Sequence, residues 1–460
     1  MSRLLLAFGC AICFSTQVYG QRRNRIAEPL ATAVDGLLAT RLEAIAPGGV
    51  VLIAKKGAIV YEKAFGLANV KTATPMRPEM AFRIGSITKQ FTAIAILQLV
   101  EAGKISLQDS IQRYVADYPH KQYPITIEHL LTHTSGIKDY QAIANRAAER
   151  TSYTPRQGVE YFKNEPLEFK PGSKFKYSNS NYYLLGYILE LVTGQSYASY
   201  LQHNLLDKAG LQHTEYLTAN KVVANMPQGY SRFDKALEVA DLQEITTLYA
   251  AGGLASTAED LFKWHQALRA GKLLSKKLLK KARTPYRLSD GTYSDYGYGW
   301  YLRKLDTSAT IEHAGSTDGF QSDEIYLPGE DIYVVTLFNC FEQDMDWAVL
   351  TNDVARLAAG KAVDAPVVVD KAILAKYAGE YTFDASHKLI VTFKEGSLFI
   401  EDTNPNDRLP QVRVYPQSEH KFYMKEAPVV FDFVYDSQKK LLKVITYVSG
   451  RKDAEWGKTK

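Results

Sequence analysis

Ser86 and Lys89 stand three residues apart in FRIGSITKQFTAIAILQLV (82–100), where a nearly continuous apolar run begins. At the start of a helix such positions share a face, so the hydroxyl and the amine are within reach of each other. A serine hydroxyl is a poor nucleophile until a base removes its proton. A lysine held out of water can have its pKa brought down from about 10.4 far enough to be that base. The helix N-terminus adds free N–H groups and the positive end of the peptide dipoles, which favour negative charge developing beside Ser86. Taken alone, the pair is equally compatible with an ordinary first helical turn whose lysine reaches solvent.

Two further segments bear on that choice. FKYSNSNYYLLG presents Tyr177-Ser178-Asn179 before another apolar helix, and TIEHAGSTDGF presents His313-Ala314-Gly315 at the end of a strand pattern. Singly, Tyr177 reads as a half-buried aromatic, Asn179 as a helix cap and His313 as a strand residue facing water. His133 in LLTHTSG reads as a loop brace, Asp318 and Tyr140 as pocket-lining residues, and Ser256 with Thr257 as a helix N-cap. The sequence contains no Gly-x-Ser-x-Gly elbow, His-Glu-x-x-His zinc motif, Gly-x-x-x-x-Gly-Lys phosphate loop or Gly-x-Gly-x-x-Gly run, so no metal, nucleotide or other cofactor is implied.

In this order the three segments resemble the serine β-lactamase and penicillin-binding-protein superfamily: Ser-x-x-Lys, then Tyr-x-Asn, then a basic residue, a small residue and Gly. LLTHTSGI, AAGGLASTAEDL and YGYGW are similar to that family's framework, so the resemblance covers about residues 26–357. The chain looks closest to the branch of class C β-lactamases, D-alanyl-D-alanine carboxypeptidases, esterases and D-aminopeptidases. His313 stands where class C β-lactamases carry lysine, which argues against efficient β-lactam hydrolysis. The resemblance implies an acyl-serine mechanism with Ser86, Lys89 and Tyr177 catalytic, either Lys89 or Tyr177 being the acylation base. Asn179, His313, Gly315 and Ser316 would bind substrate, His313 donating to the tyrosine oxygen or meeting a substrate carboxylate. The oxyanion would sit between the backbone N–H groups of Ser86 and Ser316.

Elements that could position these groups are legible on either side. Residues 26–45 have helical spacing, GGVVLIAKKGAIVYEKAFG reads as a hairpin, and YGYGWYLRKL, SATIEHAG, FQSDEIYLP and DIYVVTLFN read as strands before a helix over 345–357. Strands, a long helical middle, strands again and a final helix predict an α+β domain over 21–358, an antiparallel sheet flanked by helices with a helical subdomain. Residues 359–370 read as a linker. Over 371–460 short alternating segments predict a small C-terminal all-β, barrel-like domain, similar to lipocalin-like extensions of the superfamily, with Tyr377, Tyr381, Phe399, Phe422 and Tyr423 in its core.

At 460 residues and 46% hydrophobic the chain has ample core material for two or three domains. Its 55 Lys and Arg against 50 Asp and Glu give a formal +5 with no long basic run, so nucleic acid is not suggested. Arg3, the apolar stretch 4–14 and small Gly20 fit a cleaved export signal over 1–20, too short to span a membrane, which predicts a periplasmic or secreted protein. Of three cysteines only Cys340 lies beyond that segment, as a buried inert thiol. The expected function is an exported serine hydrolase acting on a D-amino-acid peptide, possible cell-wall peptide included, a small ester or a β-lactam. The alternative is a catalytically silent binding or scaffold module; oligomeric state is left open.

Overall fold

The computed structural model describes residues 28–41, 46–144, 147–218, 223, 225–233, 236–342, 347–363, 369–384, 387–394, 396–403, 409–424, 429–436, 438, 440–448 and 451–459. The expected export signal, 1–20, lies outside the described residues. The chain divides into two compact units, one built mostly by Ala44–Gln343 and the other by Ala33–Glu43 with Asp344–Lys460.

Helix α1 (Glu28–Arg41) is followed by the expected hairpin, β1 (Gly49–Lys55) and β2 (Ala58–Phe65). Its turn residues Lys56 and Gly57 take φ of 51° and 78°, the left-handed pair whose twist matches the strands it joins. Helix α2 (Thr88–Glu101) buries every residue from Thr88 to Leu97, as its all-round apolar sequence requires of an interior helix. Phe91 stacks on Trp264 at 4.0 Å in the same core. Helices α3 (Asn179–Thr193), α4 (Ile245–Gly252) and α5 (Ala258–Arg269) follow. Thr257 caps α5 by accepting from the Asp260 N–H, whereas Ser256 ends a short strand and pairs with the Thr214 hydroxyl at 2.8 Å.

Four strands then return: β3 (Tyr301–Leu305), β4 (Ser308–Thr317), β5 (Phe320–Leu327) and β6 (Ile332–Phe338). The sheet order is β3-β4-β5-β6-β1-β2, antiparallel throughout, so strands from the two ends of this unit meet at β6 and β1. All seven residues of β6 are buried, the outcome of covering both faces of a central strand. The strand expected over YGYGWYLRKL begins only at Tyr301; its first half crosses the core, with Tyr296 and Trp300 buried. Cys340 is buried and lies outside any disulfide, its Sγ 3.6 Å from the Phe341 carbonyl. The helical middle also holds pieces too short to show alternation in sequence, such as Phe82–Arg83 paired with Leu254–Ser256.

In the second unit, helices α6 (Trp347–Ala358) and α7 (Lys371–Tyr377) precede a closed barrel. Its eight strands are β7 (Gly379–Thr382), β8 (Lys388–Lys394), β9 (Ser397–Asp402), β10 (Leu409–Pro416), β11 (Lys421–Tyr423), β12 (Val429–Tyr435), β13 (Leu441–Val448) and β14 (Arg451–Lys458). Pairing of β7 with β14 closes the ring and removes its free edges. Tyr377, Tyr381 and Phe422 are core as expected. Phe399 and Tyr423 are not: the two-residue period that turns Leu398, Ile400, Phe422 and Met424 inward leaves them half-buried on the other face.

Candidate active site

A 3₁₀ turn, Gly85–Ile87, sets Ser86 at the foot of α2. Gly85 takes φ 47°, and a side-chain carbon there would lie 2.8 Å from the Ser316 nitrogen and 2.9 Å from its oxygen. A turn with positive φ pressed against another backbone leaves glycine as the residue that fits. One turn further, Lys89 is fully buried, and Nζ donates to Ser86 Oγ (3.0 Å), Asn179 Oδ1 (2.7 Å) and the Ala251 carbonyl (2.8 Å). Burial brings its pKa down to about 7, with the Asp139 carboxylate pulling the other way. Two of these three partners can only accept. When the ammonium loses a proton, they retain the two remaining hydrogens and the lone pair is left facing Ser86 Oγ.

The acceptors come from two other helices. Ala251 lies near the end of α4, past a kink at Tyr249, whose φ of 40° and ψ of −129° depart from the helical region. Asn179 is the first residue of α3. The sequence allows it to be a cap, but the N-cap is Ser178, and the Asn179 side chain reaches across to Lys89. Its Nδ2 donates to Asp139 Oδ2 (3.1 Å) and Gln141 Oε1 (2.8 Å). Tyr177 precedes the same helix, its ring centroid 4.8 Å from Lys89 Nζ. Its hydroxyl is buried without a hydrogen-bond partner among the described residues. Burial holds the phenol pKa well above its ordinary value, and Ser86 offsets only part of that rise.

The third segment arrives on β4. A side-chain carbon at Gly315 would lie 2.0 Å from the Ile84 carbonyl and 2.8 Å from the Ser86 nitrogen, so glycine lets the strand touch the nucleophile's backbone. Pairing of β3 with β4 ends at Tyr301 and Glu312. Beyond it Ala314 and Ser316 are exposed along a strand edge that β3 does not cover. His313 departs from its expected placement. It is buried; Nδ1 lies 2.6 Å from the Ala314 carbonyl and must donate, while Nε2 accepts from the Tyr296 hydroxyl at 2.9 Å. Burial first and the Lys89 charge second lower its pKa to about 3. Both nitrogens are engaged and burial disfavours a charge on the ring, so in this arrangement His313 braces the strand and makes no bond to the Tyr177 hydroxyl.

His133 is the loop brace its sequence suggests: fully buried, its Nδ1 accepts from the Ser178 N–H at 3.2 Å, and its ring lies 4.3 Å from Tyr177. Neither expected lining residue shows a place at the nucleophile. Tyr140 is buried against Phe162 and Tyr183, and Asp318 is ion-paired with Arg150 at 3.2 Å. Sequence reasoning missed Asp139, Gln141, the Ala251 carbonyl and Tyr296. Asp139 was within reach, standing five residues past Thr134 in the quoted framework segment, but its partner lies 40 positions away. Among the described residues no group of three or more His, Cys, Asp or Glu could hold a metal ion, and no helix is long and apolar enough to cross a membrane.

Comparison with known proteins places this geometry in context. The family model described as Beta-lactamase matches residues 31–359. The chain is 27% identical over 410 residues to penicillin-binding protein 4* of Bacillus subtilis (strain 168), covering 84% of this chain and 89% of the relative. It is 27% identical over 299 residues to a D-aminopeptidase of Gluconobacter oxydans (strain 621H), a match spanning 64% of this chain but only 56% of the relative. Among solved structures it is similar to the octameric penicillin-binding protein homologue of Pyrococcus abyssi, with a TM-score of 0.66 and 25% identity over 93% of this chain and 98% of that one.

Proposed function

Because the chain belongs to the Beta-lactamase family, we propose that it is a serine hydrolase that acts on a small amide, peptide or ester through an acyl-serine at Ser86. The observation that carries this reading is the Lys89 amine, buried, 3.0 Å from Ser86 Oγ and with a pKa near 7. Neutral Lys89 takes the Ser86 proton as Oγ attacks the carbonyl carbon. Tyr177, whose hydroxyl is protonated and otherwise unpaired, hands a proton to the leaving group, and the Lys89 ammonium resupplies it. The oxyanion is held by the Ser86 and Ser316 N–H groups, which the close packing of Gly85 and Gly315 brings together. Water then enters in place of the leaving group and the same residues run the steps in reverse, freeing the acid and Ser86.

Within that class we favour an uncharged amide or ester of a D-amino acid over a peptide ending in a free carboxylate. Support comes from neutral His313, which supplies no cation where a carboxylate would meet β4, and from the likeness to a D-aminopeptidase. The substrate's own backbone fits beside the open edge at Ala314 and Ser316, as an added strand would. Export through residues 1–20 belongs to the same proposal, resting on their charge and apolar pattern.

The test is intact-mass measurement after incubation with a fluorophosphonate and, separately, with penicillin, alongside turnover of D-alanine amides, chromogenic esters and D-Ala-D-Ala peptides. A single adduct that disappears in Ser86→Ala, with amide or ester turnover exceeding that of the carboxylate-ended peptide, supports the proposal. A protein that no acylating probe modifies is a binding module instead.

A further inference from the structure

Asp139 belongs to none of the three motif segments; it caps the 3₁₀ turn Tyr140–Ala142, and its contacts reach beyond that cap to Asn179. Its Oδ2 accepts from both the side-chain Nδ2 (3.1 Å) and the backbone N–H (3.2 Å) of Asn179, and its Oδ1 accepts from the Gln141 N–H at 3.0 Å. Gln141 Oε1 takes the other Nδ2 hydrogen of Asn179 at 2.8 Å. A primary amide fits its pocket in two ways related by a half-turn, and its neighbours decide between them. Here a half-turn would set the Asn179 oxygen against an acceptor-only carboxylate and turn its NH2 toward the Lys89 amine.

We propose that Asp139 is a positioning residue that locks the Asn179 amide with its oxygen toward Lys89, and thereby directs the Lys89 lone pair at Ser86. The inference rests on the serine-hydrolase reading of Ser86. The geometry leaves the amine no other arrangement: Asn179 Oδ1 and the Ala251 carbonyl each claim a hydrogen, and Ser86 Oγ stands on the remaining side. The other titratable groups facing Lys89 do not change charge over the neutral range. The rings of Tyr177 and Tyr182 lie 4.8 and 5.7 Å from Nζ, and burial holds both phenols protonated. His133 and His313, on the loop before α3 and on β4, are held neutral by burial. Asp139 is the carboxylate whose charge reaches Lys89 and favours its protonated form.

The test compares the full chain with Asp139→Asn, which keeps size and shape, and with Asp139→Ala. Lys89 is titrated by NMR after ¹³C labelling of lysine Cε, and kcat, KM and thermal midpoint are measured on a working ester or amide. Asp139→Asn is expected to lower the Lys89 pKa, to move the acid limb of the rate profile to lower pH, and to reduce plateau kcat by roughly 10- to 100-fold with KM changed by less than about threefold. Wild-type kcat and an unshifted limb in a folded Asp139→Asn protein would overturn the proposal. So would a loss of activity in both variants that tracks thermal stability while the Lys89 titration stays put. The NMR titration needs no substrate, so a chain whose Ser86 resists every acylating probe would fail the hydrolase reading while still deciding whether Asp139 controls Lys89.

Discussion

The hydroxyl of Tyr296 donates to Nε2 of His313 across 2.9 Å. That bond fixes a tautomer, because Nδ1 of the same ring faces the Ala314 carbonyl and must carry the hydrogen. His133 has the opposite arrangement: its Nδ1 accepts from the Ser178 N–H, so its hydrogen sits on Nε2.

Ring-nitrogen NMR should therefore find two neutral histidines of opposite tautomer at the site. His313 is expected to hold Nδ1–H, and His133 Nε2–H, from about pH 5 to 8, because burial pushes one pKa down to about 3 and the other well below its ordinary value. A His313 signal that titrates near pH 6.5, the ordinary value for histidine, would contradict the buried, doubly bonded ring.

Lys89 should write its pKa into both rate and stability. With the pKa near 7, kcat/KM rises through about pH 7 as the amine becomes neutral. The stability sign follows from proton counting. Between the folded value near 7 and the unfolded value near 10.5, the unfolded chain holds more protons than the folded one, so stability increases with pH. Denaturant titration of wild type and Lys89→Met should give a difference that moves in favour of wild type by up to about 1.4 kcal/mol per pH unit above pH 7. A flat difference between pH 7 and about 9.5 would mean that the ammonium is not destabilised in the folded state.

Much of this arrangement can be read in the sequence, and what cannot has a physical reason. Ser86 and Lys89 are three residues apart, so their proximity is a local property of the 3₁₀ turn and the first turn of α2; the β1–β2 hairpin and the barrel's alternation are local as well. The burial of His313 and its bonds to Tyr296 and the Ala314 carbonyl are not legible in a strand pattern. Asp139 and Gln141 were missed because their meaning lies in an amide 40 and 38 positions away. Phe399 and Tyr423 were assigned to the barrel core by residue type, where the two-residue register decides instead.

Gly315→Ala should separate fold from chemistry at the β4 edge. A methyl there would press within 2.0 Å of the Ile84 carbonyl and 2.8 Å of the Ser86 nitrogen. It would also meet the Ser322 Oγ at 2.7 Å; the two contacts on the Ile84–Ser86 turn are backbone and cannot swing aside, so the turn and the strand must part, pulling the Ser86 and Ser316 N–H groups off a shared oxyanion position. Turnover is expected to fall by 100-fold or more on the order of an oxyanion-hole loss, with the thermal midpoint lowered by overpacking. Gly315→Ala with intact acylation rates would show that the strand does not approach the nucleophile so closely.

Tyr177→Phe should do what few active-site changes do and leave the protein as stable as before, or more so. The Tyr177 hydroxyl is buried with no hydrogen-bond partner among the described residues. Leaving a buried hydroxyl without a partner costs about 1–3 kcal/mol of desolvation, of which the Ser86 hydroxyl offsets a part. Phenylalanine keeps the ring beside Lys89 and His133 and removes that cost. If the hydroxyl is kept for a proton transfer to the leaving group, its removal lowers kcat by about 10²- to 10⁴-fold, the usual yield of a positioned general acid. The two readouts together, a thermal midpoint unchanged or raised and a collapsed kcat, distinguish a phenol held for chemistry from one held for packing. A destabilised Tyr177→Phe with near-normal turnover would remove Tyr177 from the proton path and leave Lys89 to serve both acylation and leaving-group departure.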